Sequence, residues 1–223
     1  MCSLRVIFVR HGETVFNIES RYQGHLDAEL SELGRLQSQR VAERLQGEEI
    51  AAVYSSDLSR AGDTAQAIAG CHGLKVEIDE SLRECAFGEW EGLSVSEIAE
   101  RYPELYQNYL KDSVTYRAPE GERLESVQER VVKMVRRIEE RHPDDTVVIV
   151  THGGPIRAFF CHALGASLQT FRKVNLANCS ITTFSRDSDG KWFLEVLNDS
   201  CHLEGLEAVP DSGSQPFDRD TAF

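Results

Sequence analysis

Two short apolar runs, each followed by a histidine and a glycine, most constrain the fold of this 223-residue chain. Residues 6–9 read Val-Ile-Phe-Val and precede Arg10-His11-Gly12, and residues 147–150 read Val-Val-Ile-Val and precede Thr151-His152-Gly153. Runs of this kind are typical of parallel strands covered on both faces. Because the carboxyl ends of such strands form the ligand crevice of an open α/β sheet, the pattern predicts that two histidines from distant parts of the chain share one site.

The rest of the chain alternates between strand and helix patterns. These predict strands at 4–9, 50–54, 75–78 and 146–150, a hairpin of strands at 180–185 and 192–197, and helices at 31–46, 59–69, 97–101, 104–110, 124–141 and 155–164. Ser31 is expected to cap the first helix and Leu36 to lie on its apolar side. Gly70 is expected to close the second helix, and Pro155 to open the last. This order predicts an α/β fold, a three-layer α/β/α sandwich around a central mixed, mostly parallel sheet.

Length, charge and cysteine content narrow the class of protein. The chain length fits one large domain, which we expect at residues 1–204, followed by a flexible polar tail at 205–223. A formal net charge of −13 argues against nucleic acid or a membrane surface as the main partner. The six cysteines form no C-x-x-C pair, the first residues lack the layout of a signal peptide, and no apolar stretch has the length that spans a bilayer. We therefore expect a cytoplasmic protein.

Charged residues next to the first strand and in a later helix indicate an anion site. Arg10 and His11 directly follow a buried strand, where their desolvation is costly unless they meet an anion. Gly12 permits the backbone N–H groups around it to approach phosphate oxygens closely. Arg60 falls in the first turn of a predicted helix, where the helix dipole disfavours a cation and a bound anion would reverse that penalty. These positions predict a positively charged pocket within an acidic protein.

Several motifs, in a fixed order, resemble the signature of the histidine phosphatase (phosphoglycerate mutase-like) superfamily. In chain order they are Val9-Arg10-His11-Gly12-Glu13-Thr14 with Asn17, Arg21-Tyr22-Gln23-Gly24, Leu30-Ser31-Glu32-Leu33-Gly34, Tyr54-Ser55-Ser56-Asp57-Leu58-Ser59-Arg60-Ala61, Leu82-Arg83-Glu84, Phe87-Gly88-Glu89-Trp90-Glu91-Gly92 and Thr151-His152-Gly153. The resemblance covers about residues 4–203. It implies a phosphoglycerate mutase-like sandwich and chemistry on phosphate esters.

The resemblance also implies a role for each matching residue. His11 would be the nucleophile that takes the phosphoryl group, and Glu84 the general acid and base. The phosphate would be surrounded by His152, Arg10, Arg60, Asn17 and Gly153, and the substrate would be contacted by Gln23 and Gly24. These roles agree with the chemistry, because a neutral imidazole carries a free ring nitrogen and fixed cations stabilise the charge of the transition state. Only the resemblance selects Glu84 from its acidic neighbours Asp79, Glu80, Glu89 and Glu91.

Three functions remain open from the sequence. A phosphatase would pass the phosphoryl group from His11 to water, and a cofactor-dependent phosphoglycerate mutase would return it to a bound phosphoglycerate. A non-catalytic relative would only bind a phosphorylated metabolite or a protein. No histidine or cysteine spacing matches a zinc motif, so we expect no metal and no cofactor. The expected partner is a small phosphorylated metabolite, and the expected state is a monomer or homodimer.

The residues after Glu84 favour the phosphatase. The mutase pattern places Arg-His-Tyr-Gly after the acid, whereas this chain has Cys85-Ala86-Phe87-Gly88. Mutases also carry a longer basic insertion before the second histidine motif, whereas residues 93–123, which we expect to form a helical lid, are modest in length and nearly balanced in charge. The tyrosines at 102, 106 and 109 are either substrate contacts or packing. The substrate itself stays open among phosphoserine, α-ribazole phosphate, phosphoglycerate derivatives and sugar phosphates.

Overall fold

The computed structural model describes residues 4–206 of the chain. The strands are β1 (Leu4–Arg10), β2 (Ala52–Ser55), β3 (Val76–Ile78), β4 (Thr146–Thr151), β5 (Ile181–Arg186) and β6 (Trp192–Asp199). The α-helices are α1 (Val15–Ile18), α2 (Glu32–Leu45), α3 (Ser59–His72), α4 (Val95–Arg101), α5 (Pro103–Lys111), α6 (Leu124–Arg141) and α7 (Gly153–Ala163). Short 3₁₀ turns occupy Glu80–Leu82, Gly88–Trp90, Leu168–Lys173 and Cys201–Leu203. Of the expected flexible tail, residues 207–223 lie outside the described part.

The six strands form one sheet in the order β3-β2-β4-β1-β5-β6. The first four in this order are parallel to one another, β5 runs antiparallel to β1, and β6 runs antiparallel to β5. The two strands with the apolar runs, β1 and β4, are neighbours at the centre of the sheet. The predicted mixed, mostly parallel sheet is therefore confirmed.

Alternate side chains of β1 point to opposite faces of the sheet, and each face is covered by a pair of helices. Val6 and Phe8 belong to a core cluster with residues of α6 and α7, whereas Ile7 and Val9 belong to a second cluster with residues of α2 and α3. The apolar positions of α6, spaced by three and four, form the buried side of that helix. The α/β/α sandwich predicted from the sequence is confirmed.

Three local expectations are wrong. Helix α3 continues past Gly70 to His72, because Gly73 adopts the left-handed conformation (φ 65°) and its N–H caps the helix instead. Helix α7 begins at Gly153, two residues before Pro155. Leu36 is 48 % exposed, because α2 turns smaller residues inward against the loop after β1. A Cβ at Gly34 would overlap the carbonyl of Glu13 in that loop.

A third core cluster holds α4 and α5 against the rest of the domain. The rings of Tyr106 and Tyr109 lie 5.6 and 5.1 Å from the ring of Trp90, centroid to centroid, and Trp90 also contacts Tyr22. Both tyrosines of α5 are buried, so they belong to the packing of this segment. Within residues 4–206, no helix combines the length and the apolar character needed to cross a membrane.

Candidate active site

The structure brings the two histidines together at the carboxyl ends of β1 and β4. Arg10 pairs with Thr151 in the parallel ladder, so the histidine that follows each of them occupies the same step beyond the sheet. The ring centroids of His11 and His152 are 5.0 Å apart, and the rings are inclined by 60°. The two residues are 3 % and 0 % exposed. Two imidazoles so thoroughly desolvated, side by side, form the centre of the site.

His11 is held as a neutral imidazole with its outer nitrogen unprotonated. Its Nδ1 lies 2.7 Å from the carbonyl oxygen of Gly12, and a carbonyl only accepts, so Nδ1 carries the proton. Burial, together with the charges of Arg60 and Arg10, holds the pKa of His11 well below its usual value of 6.5. The ring is therefore neutral near pH 7, and Nε2 keeps a lone pair that can attack an electrophile.

His152 has the opposite tautomer. Its Nδ1 accepts a hydrogen bond from Nε of Arg60 at 3.3 Å, and a guanidinium only donates, so the proton of the neutral ring is on Nε2. Burial and the charge of Arg60 keep the pKa of His152 well below 6.5. Among the residues that the structure describes, Nε2 of His152 finds no hydrogen-bond partner although it is buried. A buried donor of this kind needs an acceptor, and a phosphate oxygen would supply one.

Arg60 is a fully buried cation fixed by backbone oxygens. Its Nη1 and Nη2 donate to the carbonyls of Leu26 and Gly24 at 2.9 and 2.8 Å. Burial lowers the pKa of Arg60 to about 10, despite the favourable charge of Glu84. The side chain leaves the first turn of α3 as predicted, and it is charged at neutral pH beside His152. Gly24 thus supports Arg60 through its carbonyl, and its own φ of 53° places it in the left-handed region.

Arg10 is the second arginine whose charge acts on both histidines. Its Nη1 donates to the carbonyl of Leu176, in the loop before β5. A Cβ at Gly153 would lie 3.9 Å from Nε of Arg10, in ordinary van der Waals contact, so the guanidinium lies beside the start of α7. Arg10 and Arg60 together give the pocket two positive charges.

Glu84 lies at the N-terminus of α7. Its Oε1 accepts N–H bonds from Gly154 at 3.0 Å and from Cys85 at 2.8 Å. The two N–H groups hold the carboxyl group of Glu84 against the first turn of α7, two residues after His152. The resemblance alone selected Glu84 from its acidic neighbours, and the structure adds its contact with the start of α7. Asp79, for example, caps the turn at Glu80–Leu82 through a bond to the N–H of Ser81.

Asn17 and Gln23, the remaining predicted site residues, are both buried polar side chains. Oδ1 of Asn17 accepts from the N–H and the hydroxyl of Thr14, at 3.1 and 3.0 Å, which leaves its amide NH₂ as the donor for other contacts. Gln23 is 8 % exposed, and no group within residues 4–206 bonds to its Oε1. Both side chains thus offer polar atoms of the kind that a bound substrate can satisfy.

Several supporting residues carry no motif that identifies them in the sequence. The amide of Asn178 donates to the carbonyl of His11 at 3.0 Å and lies 3.4 Å from Oδ1 of Asn17, which links two site residues. The hydroxyl of Thr64 accepts from the N–H of Gly12 at 3.1 Å. Gly154, by contrast, could have been suspected from the sequence, because two consecutive glycines indicate that another group approaches the backbone closely. In the structure, a Cβ at Gly154 would overlap Oε1 of Glu84.

The described residues do not suggest a metal centre. In the part of the chain from 4 to 206, no three side chains of His, Cys, Asp or Glu are grouped so that they could hold a metal ion. The charge that faces the histidine pair comes instead from guanidinium groups. Such a pocket suits a phosphate dianion.

Comparison with known proteins places the chain in one family. A sequence profile of the histidine phosphatase superfamily (branch 1) matches residues 6–200. Phosphoglycerate mutase-like protein 4 of Arabidopsis thaliana is 41 % identical over 203 residues, which cover 89 % of this chain and 86 % of that protein. Phosphoserine phosphatase 1 of Hydrogenobacter thermophilus is 36 % identical over 200 residues, covering 90 % and 94 %.

A solved structure agrees with the sequence matches. A mutant phosphoserine phosphatase from Entamoeba histolytica, in complex with phosphoserine, superposes with a TM-score of 0.81 at 30 % sequence identity. The similarity covers 90 % of this chain and 99 % of that one. The fold, the histidine pair and these matches agree, and the chain belongs to the histidine phosphatase superfamily.

Proposed function

We propose that this protein hydrolyses a small phosphomonoester through a phosphohistidine on His11. The observation that carries the proposal is the opposite protonation of the two buried imidazoles. Nε2 of His11 bears a lone pair, while Nε2 of His152 bears a proton and lacks a partner within the described residues. One histidine is thus suited to attack phosphorus and the other to hold a phosphate oxygen.

In the first half-reaction, Nε2 of His11 attacks phosphorus and the ester P–O bond breaks. Arg10, Arg60 and the Nε2–H of His152 stabilise the negative charge on the equatorial oxygens. Glu84, protonated at the start of this step, gives its proton to the leaving alkoxide. The products are the free alcohol and a phosphohistidine, with Glu84 now a carboxylate held by the N–H of Gly154.

In the second half-reaction, water replaces the alcohol. The Glu84 carboxylate takes a proton from the water as its oxygen attacks phosphorus, and the P–N bond to His11 breaks. The lone pair returns to Nε2, inorganic phosphate leaves, and Glu84 is protonated again. The hydrogen bond from Nδ1 of His11 to Gly12 holds the ring in the attacking orientation in both steps.

Hydrolysis is favoured over mutase chemistry by the residues next to Glu84. The mutase pattern would place an arginine and a tyrosine here, whereas Cys85 is buried in the core and the ring of Phe87 meets that of Tyr22 edge-on at 4.9 Å. Apolar packing therefore occupies positions where the mutase pattern has polar groups. Two of the similar proteins described above carry the name phosphoserine phosphatase, which supports a phosphorylated metabolite as the substrate.

Rapid quench with ³²P-labelled phosphoserine and p-nitrophenyl phosphate tests the proposal. We expect a phosphoenzyme that is labile to acid and stable to alkali, and that is lost in His11→Ala. A label that persists in His11→Ala would refute the assignment of the nucleophile. If wild-type protein releases no product from any phosphomonoester, the protein is a binding module rather than an enzyme.

Two further assays address metal dependence and the mutase alternative. Activity is expected to survive EDTA unchanged, because the guanidinium groups supply the charge of the pocket. A large loss that Mg²⁺ or Zn²⁺ restores would contradict this. Incubation with 3-phosphoglycerate and catalytic 2,3-bisphosphoglycerate is expected to yield inorganic phosphate, and formation of 2-phosphoglycerate in its place would establish the mutase.

The proposed enzyme also has a lid over its site and a cytoplasmic location. We infer that residues 93–123, which contain α4 and α5, act as a lid, since their aromatic cluster packs beside Phe87 just beyond Glu84. A cytoplasmic location fits the five free, scattered cysteines of the described residues. The expected oligomeric state is a monomer or a homodimer, and size-exclusion chromatography with light scattering would distinguish the two.

A further inference from the structure

The peptide group between Gly12 and Glu13 links the ring of His11 to a side chain on α2. Its carbonyl oxygen accepts the proton of Nδ1 of His11 at 2.7 Å, and its N–H donates to Oε1 of Gln37 at 2.9 Å. A trans peptide group is planar, and its C=O and N–H point in opposite directions. His11 and Gln37 are therefore bonded to opposite sides of one rigid unit.

Helix α2 holds Gln37 against the loop that follows β1. Gly34 lies three residues before Gln37 on the same side of the helix, and a Cβ there would overlap the carbonyl of Glu13. The N–H of Ser31, the N-cap of this helix, donates to the same carbonyl at 2.9 Å. Both backbone polar groups of Glu13 are thus bonded to residues at the start of α2.

The preceding peptide group, between His11 and Gly12, is fixed by other neighbours. Its N–H donates to the hydroxyl of Thr64, a fully buried residue, at 3.1 Å. Its carbonyl accepts from the amide of Asn178 at 3.0 Å. The path of the loop therefore does not depend on Gln37 alone, so a substitution of Gln37 acts first on the bond to the Glu13 N–H.

The ring of His11 changes its charge during the proposed reaction. As Nε2 gives its lone pair to phosphorus, the ring becomes positive and Nδ1–H becomes a stronger donor to the Gly12 carbonyl. An acceptor at the N–H of the same peptide group polarises that carbonyl, and hydrogen bonds in such a chain strengthen one another by about 10–30 %. This interaction is stronger in the transition state than in the free enzyme, which is the condition for raising kcat.

We propose that Gln37 is a positioning residue for His11, which acts through the peptide group between Gly12 and Glu13 to stabilise the positive ring of the phosphorylated histidine. The inference rests on the proposed function, because His11 acquires this charge only when it accepts the phosphoryl group. Phosphorylation should therefore depend on Gln37 whatever the leaving group. Hydrolysis of the phosphohistidine should not, since that step returns the ring to neutrality.

Gln37→Met tests this assignment, because methionine removes the acceptor, keeps the length of the side chain and suits a helix as well as glutamine does. In rapid quench, phosphorylation of His11 should slow about 10-fold with phosphoserine and with p-nitrophenyl phosphate alike, the effect of one hydrogen bond. Hydrolysis of the phosphoenzyme should not slow. The Nδ1 proton of His11, observed by NMR, should move upfield because its hydrogen bond weakens. Gln37→Glu, which keeps an oxygen acceptor, should retain most of the wild-type rate.

Gln39→Met is the matched control. Gln39 lies on the same helix and is exposed, so this variant should match wild-type protein in every measurement. The inference is wrong if Gln37→Met phosphorylates His11 at the wild-type rate, or if it slows both half-reactions equally, as a general loosening of the site would. Either result leaves the proposed function intact, provided that wild-type protein forms the phosphohistidine. Absence of a phosphohistidine in wild-type protein would instead refute the proposed function.

Discussion

At two adjacent glycines at the start of α7, charged side chains from two other parts of the chain meet one from α7 itself. Gly153 is bordered by the guanidinium groups of Arg10 and Arg157, and Gly154 by the carboxylate of Glu84. Both belong to the first turn of the helix, whose N–H groups point toward the pocket. A Cβ at Gly154 would overlap Oε1 of Glu84, whereas one at Gly153 would meet Nη1 of Arg157 at 3.2 Å and displace it only slightly, so Gly154 is the position where the lack of a Cβ matters most.

Gly154→Ala is expected to impair the acid without removing it. The new Cβ would overlap Oε1 of Glu84 and weaken the bond from the Gly154 N–H, so the carboxyl group must shift. A misplacement of this kind costs on the order of 100-fold in rate. In single-turnover experiments, phosphorylation by phosphoserine should slow about 100-fold, and phosphorylation by p-nitrophenyl phosphate should slow much less. The nitrophenolate leaves without needing a proton.

Gly70→Ala provides the matched control for this substitution. Gly70 is also helical, and a Cβ there meets nothing within 4 Å among the described atoms. Activity should stay at the wild-type level, and the free energy of unfolding should rise by about 0.5–1 kcal/mol because alanine favours the helix. Equal slowing of both substrates in Gly154→Ala would show that Glu84 is not the group affected.

At the scale of elements, α6 positions the loop that carries Glu84. Arg130 donates to the carbonyls of Ser81, Arg83 and Glu84, at 2.8, 2.6 and 2.9 Å, and forms an ion pair with Glu122 at 2.8 Å. Glu122 in turn accepts the N–H of Ala86 at 3.3 Å. One guanidinium thus ties both ends of the segment around Glu84 to a long, well-packed helix.

Arg130→Lys is expected to loosen this segment. Lysine keeps the charge, but a single ammonium cannot span three carbonyls and a carboxylate, so kcat for phosphoserine should fall about 10-fold or more with little change in KM. The effect should disappear in a Glu84→Gln background, because a residue that acts only through Glu84 adds nothing once the acid is absent. Additive losses in the double variant would contradict this positioning role.

Arg137→Lys is the control for the same helix. Arg137 is 49 % exposed and pairs with Asp79 at 2.9 Å, away from the Glu84 backbone. Exposed pairs contribute about 0–1 kcal/mol, so neither kcat nor stability should change measurably. Urea denaturation of both variants would show whether Arg130→Lys acts on the site or on the whole fold.

How far the sequence predicts such elements depends on the range of the signal. The ends of β1 and β4 were predictable, because apolar runs and their flanking residues are local features. The ends of helices were less predictable. Gly70 and Gly73 could each cap the C-terminus of α3, and only the packing of that helix decides between them. Arg130 and Asn178 had no signal at all, since their partners are backbone groups contributed by distant segments.

At the scale of the whole molecule, an acidic chain encloses a basic site. The formal net charge is −13, yet Arg10, Arg60 and two neutral histidines border the proposed phosphate. Both imidazoles stay neutral in the folded protein, whereas in the unfolded chain they bind protons at low pH. The free energy of unfolding therefore falls at low pH, because proton binding stabilises only the unfolded chain. The site therefore ties the stability of the entire domain to pH.

Stability is expected to fall as the pH decreases from about 6.5 toward 5. The folded-state pKa values of His11 and His152 lie well below 6.5, so their contribution is complete above pH 6.5 and is lost as the unfolded chain binds protons below it. Two such protons give a slope of about 2.7 kcal/mol per pH unit in the free energy of unfolding. Urea denaturation at steps of half a pH unit would measure this slope.

The double variant His11→Gln with His152→Gln should lower the slope by that amount. A smaller pH dependence should remain from His162 and His202, whose pKa values are also lowered by burial. An unchanged slope in the double variant would show that the buried pair is protonated in the folded protein, and would remove the neutral nucleophile on which the proposed reaction depends.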